Sequence, residues 1–387
     1  MAGTTRRVAL VLELNWAYKR HASVYAGTQQ YFDEQGWESV IDEYALASLP
    51  PRRRTASPYD GVIARATKSL ALRCEKLQVP LVNVWSSSPL RDELPSVYPD
   101  YQASGRLRAE HLLARGLRNF AVLGTRRDSA DYLELHSFAE TIRAKGYACE
   151  VAWMSRLFSD SLPQWRTFNQ IITAWMDQWE LPIGTFVGAD SVGRIVVQKC
   201  KERGWRVPED VAMIAGRNEE TLCESPSPSI TSMEMGYERV GYEAARHLHR
   251  LMNGEQLPRN TVYIPPQGLV VRESTDFHIT EDDLIAAALS FIASNSHRRI
   301  GQDDVARALS VETRTLQNRF RKILNQPIAA TIRRVRLERA KRELVQSNRS
   351  LKNIARDTGF GSAMRMYDLF KRELGMTPTQ FRKQRRL

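Results

Sequence analysis

Residues 183–216 read IGTFVGADSVGRIVVQKCKERGWRVPEDVAMIAG. A short apolar run, Gly184 to Gly188, is followed by an amphipathic stretch, Val192 to Arg203, and then by a second apolar run, Val211 to Ala215. Short apolar runs that alternate with stretches of helical periodicity predict a strand, a helix and a second, parallel strand. The fold of this part of the chain is therefore predicted to be a parallel sheet with helices packed against it.

The same alternation extends toward the amino end in two series. The predicted strands are Val8 to Leu14, Trp37 to Ile41, Asp60 to Ala64, Pro80 to Trp85, Asn119 to Gly124 and Cys149 to Met154, and the predicted helices are Ser23 to Glu34, Leu70 to Leu77, Ala103 to Arg115, Tyr132 to Lys145 and Trp165 to Trp179. Two such series predict two doubly wound lobes. Because ligands of open α/β sheets bind beyond the carboxyl ends of the strands, two facing lobes predict a cleft for a small molecule.

The last quarter of the chain carries all of its net charge. Residues 281–387 hold 23 Lys and Arg against 11 Asp and Glu, whereas residues 1–280 hold 33 of each kind. A compact basic block binds a phosphate backbone through Lys and Arg side chains that release counterions. Apolar residues at regular intervals interrupt the basic ones, which indicates a folded domain rather than a disordered arm. The block predicts a nucleic-acid-binding module, with a solvated basic surface as the alternative.

Two helix-turn-helix patterns lie in this basic block. The first consists of Gln302 to Ala308, a turn at 309–311 and Glu312 to Ile323; the second consists of Leu351 to Asp357, a turn at 358–360 and Ala363 to Arg372. In each pattern, two large apolar side chains stand four residues apart on the second helix and share its buried face. Ile328 to Leu344 has helical spacing and predicts one long connecting helix. We therefore predict an all-α domain with two recognition helices.

Length and composition agree with this organisation. The two-lobed domain is predicted at residues 1–275, a linker at 276–282 and the helical domain at 283–387. The four cysteines are far apart and lack C-x-x-C spacing, so neither zinc nor disulfides are indicated and the cytoplasm is the expected compartment. No apolar run approaches the roughly 18 residues of a membrane helix. We expect no cofactor, no metal ion and no membrane partner.

Four segments of the two-lobed part are informative because of their order and spacing. They are residues 94–124, 183–216, 227–255 and 265–275. Together they resemble the successive signatures of the sugar-sensing domain of lactose-repressor-type regulators, which is itself similar to periplasmic sugar-binding proteins. The resemblance implies a periplasmic-binding-protein-like domain that binds a small sugar in its cleft.

The basic block contains TLQNRF at 315–320, RLERAKREL at 336–344, NIARDTGF at 353–360 and LFKRELGMTP at 369–378. These motifs resemble the DNA-binding domain of the arabinose-operon-regulator family. The resemblance implies a transcription regulator that binds a double-stranded operator or promoter as a homodimer, with RNA polymerase as a further candidate partner. A sensor followed by this DNA-binding domain implies a small sugar as effector, with D-xylose as the first candidate.

The first recognition helix offers side chains suited to reading bases on the face opposite its apolar residues. Arg suits guanine, while Gln and Asn suit adenine, and each good contact is worth ~1–3 kcal/mol of discrimination. The second helix carries Asp368, which repels phosphate, so this half is predicted to supply positioning, apolar contacts or readout of shape. A solvated face is the alternative. The predicted DNA contacts are Thr313, Arg314, Gln317, Asn318, Arg321, Ala363, Met364 and Arg365.

Sugar pockets combine carboxylates and amides, which bind hydroxyl groups, with an aromatic ring against the C–H face of the sugar. Side chains of these kinds follow the predicted strands, although each one taken alone is also typical of a turn or a helix cap. Asp190 matches the family motif best and is the first choice. The predicted set is Asn15, Trp16, Tyr18, Trp85, Asp100, Asp190 and Asn218.

Two further predicted ligand-binding positions, Glu134 and Arg217, depart from the family. Arg217 stands where such sensors usually have an acidic residue, and Glu134 stands where an Arg is usual. A guanidinium only donates hydrogen bonds, whereas a carboxylate accepts them, so the exchange changes the pocket chemistry. Three interpretations stay open: the two residues exchange roles around a neutral sugar, Arg217 binds an acidic sugar, or the pocket binds no sugar and the protein is a ligand-free DNA-binding protein.

An enzyme is the competing class. Some arabinose-type DNA-binding domains are fused to repair alkyltransferases that use a reactive cysteine, but the cysteines here lie in ordinary helix or strand contexts. The sequence also lacks a Gly-rich phosphate loop, a G-x-S-x-G motif and an H-E-x-x-H motif. We therefore expect a regulator and not an enzyme, with activation or repression left open.

Overall fold

The computed structural model describes the chain except for residues 1–4, 17, 53–54, 92, 127, 155–160, 256–260, 278–281, 325, 348 and 386–387. The described residues form two compact units, Met1–Asp276 and Phe277–Leu387. The first unit contains both parallel sheets, and the second is entirely helical.

Short strands alternate with helices through the first unit. The strands are β1 (Arg7–Val11), β2 (Glu38–Ile41), β3 (Gly61–Ala64), β4 (Leu81–Asn83), β5 (Ser96–Pro99), β6 (Asn119–Thr125), β7 (Cys149–Met154), β8 (Ile183–Val187), β9 (Val211–Ala215), β10 (Thr231–Glu234), β11 (Thr261–Ile264) and β12 (Gly268–Val270). The helices are α1 (Lys19–Gln35), α2 (Ala45–Ser48), α3 (Lys68–Leu77), α4 (Tyr101–Leu113), α5 (Ser129–Ala144), α6 (Leu162–Met176), α7 (Asp190–Glu202), α8 (Glu220–Glu224) and α9 (Tyr237–Met252), and a 3₁₀ turn spans Glu273–Thr275.

The strands form two six-stranded sheets, one in each lobe. The first has the order β11-β5-β4-β3-β1-β2 and is parallel throughout. The second has the order β12-β10-β9-β8-β6-β7 and is parallel except for β12, which runs antiparallel to β10. Central strands such as β3 and β9 are buried on both faces, which is why their sequences are continuous apolar runs. The predicted fold of two doubly wound lobes is confirmed.

The chain passes between the lobes three times, which the two predicted series do not anticipate. After β5 it enters the second lobe, after β10 it returns through α9 to form β11 beside β5, and it then crosses again to form β12. Strands β11 and β12, each at an edge of its sheet, and their neighbours β5 and β10 were not predicted.

Helices α1 and α9 touch through their backbones. A Cβ atom placed on Gly27 would lie 1.8 Å from the carbonyl oxygen of Glu238, and one placed on Gly241 would lie 1.9 Å from that of Val24. A side chain at either position would push the helices apart. Two facing glycines therefore set the spacing of this helix pair.

The described residues of the second unit form seven helices. They are α10 (Asp283–Asn295), α11 (Gln302–Ala308), α12 (Thr313–Leu324), α13 (Ile328–Gln346), α14 (Leu351–Asp357), α15 (Ala363–Leu374) and α16 (Pro378–Arg385). The pairs α11–α12 and α14–α15 are the two helix-turn-helix motifs, and α13 joins them. The helical domain with two such motifs is confirmed. Helix α10 was not predicted; the side chain of Asp282, at the end of the predicted linker, caps it.

Each helix-turn-helix has its own hydrophobic core, and α13 contributes to both. Ile328 and Ile332, near its start, pack in the first core, which also contains the buried Leu316 and Phe320. Leu337, Ala340 and Leu344, further along, pack in the second core with the buried Met366 and Phe370. The long helix therefore fixes the spacing of the two motifs.

The turns of the two motifs have the same backbone conformation. Gly359 has a φ of 80° and Ser310 has a φ of 56°, both in the left-handed region. Glycine adopts this region without penalty, whereas a residue with a Cβ is strained there. The first turn therefore carries strain that the second does not.

Candidate functional site

A cavity of about 220 Å³ lies in the first unit where the carboxyl ends of several strands meet. Trp16 and Tyr18 follow β1, Asp190 follows β8, Arg217 follows β9 and Tyr237 follows β10. Both sheets thus contribute walls, as expected for a ligand site between two doubly wound lobes. The volume is below the roughly 300–1,000 Å³ of pockets for drug-sized ligands, which indicates a small molecule.

One wall of the cavity is aromatic. The rings of Trp16 and Tyr18 stack with centroids 5.9 Å apart, and both also stack on His21. His21 in turn lies 4.8 Å from Trp85, which is buried behind it. Nδ1 of His21 lies 2.7 Å from the carbonyl oxygen of Leu12, and burial lowers the pKa of the imidazole. A neutral His21 therefore holds the aromatic wall in place.

Beneath the cavity lies a network of two guanidinium groups and two carboxylates. Nη2 of Arg217 donates to Asp131 and to Glu134, each at 2.7 Å. The other oxygen of Glu134 lies 3.2 Å from Nη2 of Arg108, which is fully buried over the ring of Phe186. Burial lowers the pKa of Arg217, but Glu134 and Asp131 together raise it well above its usual value. The network is balanced in charge, and the Arg217 side chain is only 13% exposed.

Asp190, the first-choice sugar contact, has protein donors on both carboxylate oxygens. Its Oδ2 accepts hydrogen bonds from the backbone N–H groups of Arg217 and Glu219, at 3.1 and 3.0 Å. Its Oδ1 accepts from Ser232 at 2.9 Å and from Cys223 at 3.1 Å. Asp190 lines the cavity, but both of its carboxylate oxygens accept hydrogen bonds from the protein, and two of these bonds hold the loop after β9 in place.

Other predicted ligand contacts lie outside the cavity lining. The carboxylate of Asp100 caps α4 by accepting from the backbone of Ala103 at 2.8 Å. The amide of Asn218 is buried between Glu234 and Arg272, and Asn15 is exposed. Asp100 and Asn218 thus have the cap and turn roles that are the ordinary alternative for such residues, and their geometry argues against direct ligand contact.

Several lining residues were missed by sequence reasoning. Arg20, Asp128 and Tyr237 line the cavity beside the predicted residues. Tyr237 follows the unpredicted strand β10, and Arg20 lies in the first turn of a helix that begins earlier than predicted. Arg108 carried no signal, because a charged residue in a helix is usually exposed.

Two polar atoms at the cavity have no protein partner among the described residues. They are Nε of Arg217 and the hydroxyl of Tyr237, both buried. Buried donors without partners are rare, because each one costs about 1–3 kcal/mol. Both can donate to an oxygen of a ligand.

The two lobes are linked at the cavity mouth through Lys19, at the start of α1. Its ammonium lies 2.7 Å from Glu234 and 3.5 Å from Glu220, and its backbone N–H donates to Glu219 at 3.1 Å. Burial lowers the pKa of Lys19, but Glu234 and Glu220 raise it above its usual value. These contacts join the first lobe to the second in the conformation described.

The first recognition helix, α12, has the polar face predicted for it. Arg314, Asn318 and Arg321 are exposed. Thr313 donates to Asp303 at 2.9 Å, and Gln317 donates to Gln302 at 2.8 Å. Both hydrogen bonds join α12 to α11, so these two side chains are held in place before any DNA is bound.

The second recognition helix, α15, presents a different face. Met364 is 68% exposed, and Arg365 and Asp368 are exposed beside it. Ala363 packs partly against the second core, so it offers little surface for a base. The second helix has few side chains suited to hydrogen bonds with bases.

The remaining chemistry of the described residues is unremarkable. No group of His, Cys, Asp and Glu among them is arranged to hold a metal ion, and none of their helices is long and apolar enough to cross a membrane. Burial raises the pKa of the thiols of Cys74, Cys149 and Cys200 to about 12. Cys223 is buried as well. None of these thiols is in the electropositive, exposed setting of a reactive cysteine.

Comparison with known families finds both domains. Residues 109–275 match the periplasmic binding protein-like domain, and residues 305–384 match a helix-turn-helix domain. The chain is therefore a helix-turn-helix transcription regulator with a periplasmic-binding-protein-like sensor domain.

Two relatives align with the chain over nearly their whole length. The chain is 26% identical to the xylose operon regulatory protein of Haemophilus influenzae, over 97% of this chain and 98% of that protein. It is 25% identical to the protein of the same name from Escherichia coli K12, over 97% and 96% of the two chains. A solved xylose-binding transcription activator covers 100% of both chains, with a TM-score of 0.67 at 23% identity. A cellobiose-bound transcriptional regulator covers 70% of this chain and 85% of its own, with a TM-score of 0.55 at 23% identity.

Proposed function

We propose that this protein regulates a sugar-utilisation operon in the cytoplasm, binding DNA through its two helix-turn-helix motifs and a small neutral sugar in the cavity between its lobes. D-xylose is the first candidate, because relatives similar over nearly the whole chain are named for xylose. A homodimer and contact with RNA polymerase belong to the same proposal and rest on the resemblance to the arabinose-operon-regulator family.

The proposal that the sugar is neutral is supported mainly by the balanced charge of the network at Arg217. An acidic sugar needs a guanidinium with charge to spare, but Arg217 already binds the carboxylates of Asp131 and Glu134. A further anion would meet these two carboxylates at close range. Arg20, the other guanidinium of the lining, shares that lining with three carboxylates, those of Asp128, Asp190 and Glu219. What remains available is the neutral chemistry of sugar recognition: a stacking surface at Trp16, and single donors on Arg217 and Tyr237.

Regulation follows from lobe closure. A ligand shifts a conformational equilibrium only by its differential affinity for the two states. A sugar in the cavity contacts both walls at once in the closed form, and in the open form it contacts one. The Lys19 contacts to Glu219 and Glu234 add to the closed form. The sugar therefore favours closure, and the change in the sensor domain alters the affinity of the protein for DNA.

Calorimetric titration of the full chain with D-xylose, other pentoses, hexoses and a uronic acid tests the effector. We expect a neutral pentose to bind and to change the affinity for DNA, and Trp16→Ala to weaken sugar binding at least tenfold because the stacking surface is lost. Trp165→Ala is the matched control, since Trp165 lies on α6 outside the cavity lining. Binding of the uronic acid with no binding of any neutral sugar would contradict the proposal.

A further inference from the structure

The second unit contains a concave surface that no function assigned so far explains. It is a cleft of about 660 Å³ between the two helix-turn-helix motifs. The first motif and the loop before it contribute Arg299 and Asp304, α13 contributes Arg333 and Arg336, and α15 contributes several side chains, Arg365 among them. We call this surface the arginine cleft. It is shared by both halves of the unit.

The charge of the arginine cleft is strongly positive. Five arginines and two aspartates line it. Of the aspartates, Asp304 is already engaged, because it accepts from the backbone of Gly301 and from Arg307. Among the described residues, no carboxylate forms an ion pair with Arg299, Arg333 or Arg365. Asp368 lines the cleft as well, but the five arginines outnumber the two aspartates, so the lining keeps a net positive charge.

Two of these arginines, Arg299 and Arg336, also repel each other. Arg336 is held at the base of the cleft, where its guanidinium donates to the carbonyl oxygens of Arg298 at 3.0 Å and Ile300 at 2.8 Å. Burial lowers the pKa of Arg336, and the charge of Arg299 lowers it further. Like charges held close together raise the free energy of the unbound domain. An anion in the cleft would relieve this repulsion.

The position of the cleft indicates the source of the anion. On α15, Arg365 and Arg372 are seven residues apart and so lie on one side of the helix, next to the outward-facing Met364 and Asp368. These two arginines therefore border the face of α15 that is predicted to contact DNA. A duplex contacted by both recognition helices carries its sugar–phosphate backbone across the space between them.

We propose that the arginine cleft binds phosphate groups of the DNA backbone between the two sites contacted by the recognition helices. This inference rests on the proposed DNA-binding function and deepens it. It also explains how α15 can hold its place on DNA although Asp368 repels phosphate and few of its side chains suit bases. The backbone contacts fix the register of the second motif and carry no sequence information of their own.

The test is the salt dependence of DNA binding by the full chain carrying Arg333→Gln or Arg365→Gln. Both arginines are exposed, so the fold should be retained. Affinity falls as salt rises, and each lost phosphate contact decreases the steepness of the fall of log K with log [salt] by about 0.9. We expect that decrease for each variant on a random duplex and on a duplex selected in vitro by the wild-type protein, with the preference between the two duplexes unchanged. Arg356→Gln is the matched control, since Arg356 is exposed, lies on α14 and does not line the cleft.

The outcomes separate this inference from the proposed function. If the wild-type protein shows no salt-dependent affinity for either duplex, the proposed function fails. If the wild type binds but the slopes of both cleft variants equal that of Arg356→Gln, the cleft does not bind the backbone. A loss confined to the selected duplex would show base contacts instead. Raising the melting temperature with inorganic phosphate or pyrophosphate, in the wild type but not in Arg333→Gln, with unchanged DNA slopes, would assign the cleft to a small anion and overturn the inference.

Discussion

At the scale of single residues, the cavity is governed by one exchange of charge. A pair in which an Arg usually faces an acid is present here with the charges reversed, as Glu134 and Arg217. The structure explains how the reversal is accommodated, because Arg108 and Asp131 extend the pair into a balanced set of four charges. The interpretation in which Glu134 and Arg217 exchange roles is thus the one that this geometry favours.

Arg217→Asp should destabilise the first unit by roughly 3–5 kcal/mol, because breaking a buried ion pair leaves Asp131 and Glu134 without their partner and adds a third carboxylate. All eight tryptophans lie in residues 1–276, so the loss can be followed by tryptophan fluorescence during urea unfolding.

Arg206→Asp is the control for this change. Arg206 pairs with Asp210 at 2.9 Å, but its side chain is 69% exposed. Exposed pairs contribute at most about 1 kcal/mol, so this variant should unfold close to the wild type. Equal effects of the two substitutions would show that the buried network is not what stabilises the lobe.

The residue types in the cavity were partly predictable, but their roles were not. Trp16, Tyr18, Asp190 and Arg217 line it because chemistry at strand ends converges in parallel sheets. The sequence could not show that the carboxylate of Asp190 accepts hydrogen bonds from the backbone of the loop after β9. That role depends on contacts between segments far apart in the chain.

At the scale of elements, the two helix-turn-helix motifs differ in their turns. Ser310 takes a left-handed conformation that glycine adopts freely, and Gly359 has no such strain. A Cβ on Gly359 would also lie 2.2 Å from the carbonyl oxygen of Ser296. The second turn is therefore restricted to glycine both by its conformation and by packing, whereas only conformation favours glycine in the first.

Ser310→Gly should stabilise the helical unit by up to about 1 kcal/mol, because it removes left-handed strain at a modest cost in chain entropy. Gly359→Ala should destabilise it by more than about 2 kcal/mol, because strain and a backbone clash act together. Urea unfolding of residues 277–387, followed by circular dichroism, measures both. A stabilising Gly359→Ala, or a destabilising Ser310→Gly, would contradict the turn geometry.

Elements with strong periodicity were predicted almost to the residue. The bounds of α11, α14, β7 and β9 agree with the sequence pattern. Strands β5, β10, β11 and β12 and the short helices α2 and α8 were missed, because their conformation depends on contacts with distant segments rather than on a local pattern.

At the scale of the whole molecule, the net positive charge and the proposed DNA-binding function belong to the same unit. The excess of Lys and Arg over Asp and Glu lies in residues 281–387, all of which belong to the second compact unit. The sensor unit has no net charge of its own to attract DNA.

Residues 277–387 expressed alone should fold and bind duplex DNA with a steep dependence on salt, because both recognition helices and both hydrophobic cores are within them. Sugar should have no effect on this binding. Residues 1–276 are the control and should bind no DNA in an electrophoretic shift assay. A folded helical fragment with no affinity for any duplex would contradict the division of labour.

The facing glycines of α1 and α9 bear on how such a protein changes its ligand over evolutionary time. Arg20 lies in the first turn of α1 and Tyr237 begins α9, so both helices place a residue of their first turn in the cavity lining. Substitutions at Gly27 or Gly241 would separate the pair and shift both residues at once. A change of ligand that keeps both glycines would therefore act through exchanged side chains, with the spacing of this helix pair unchanged.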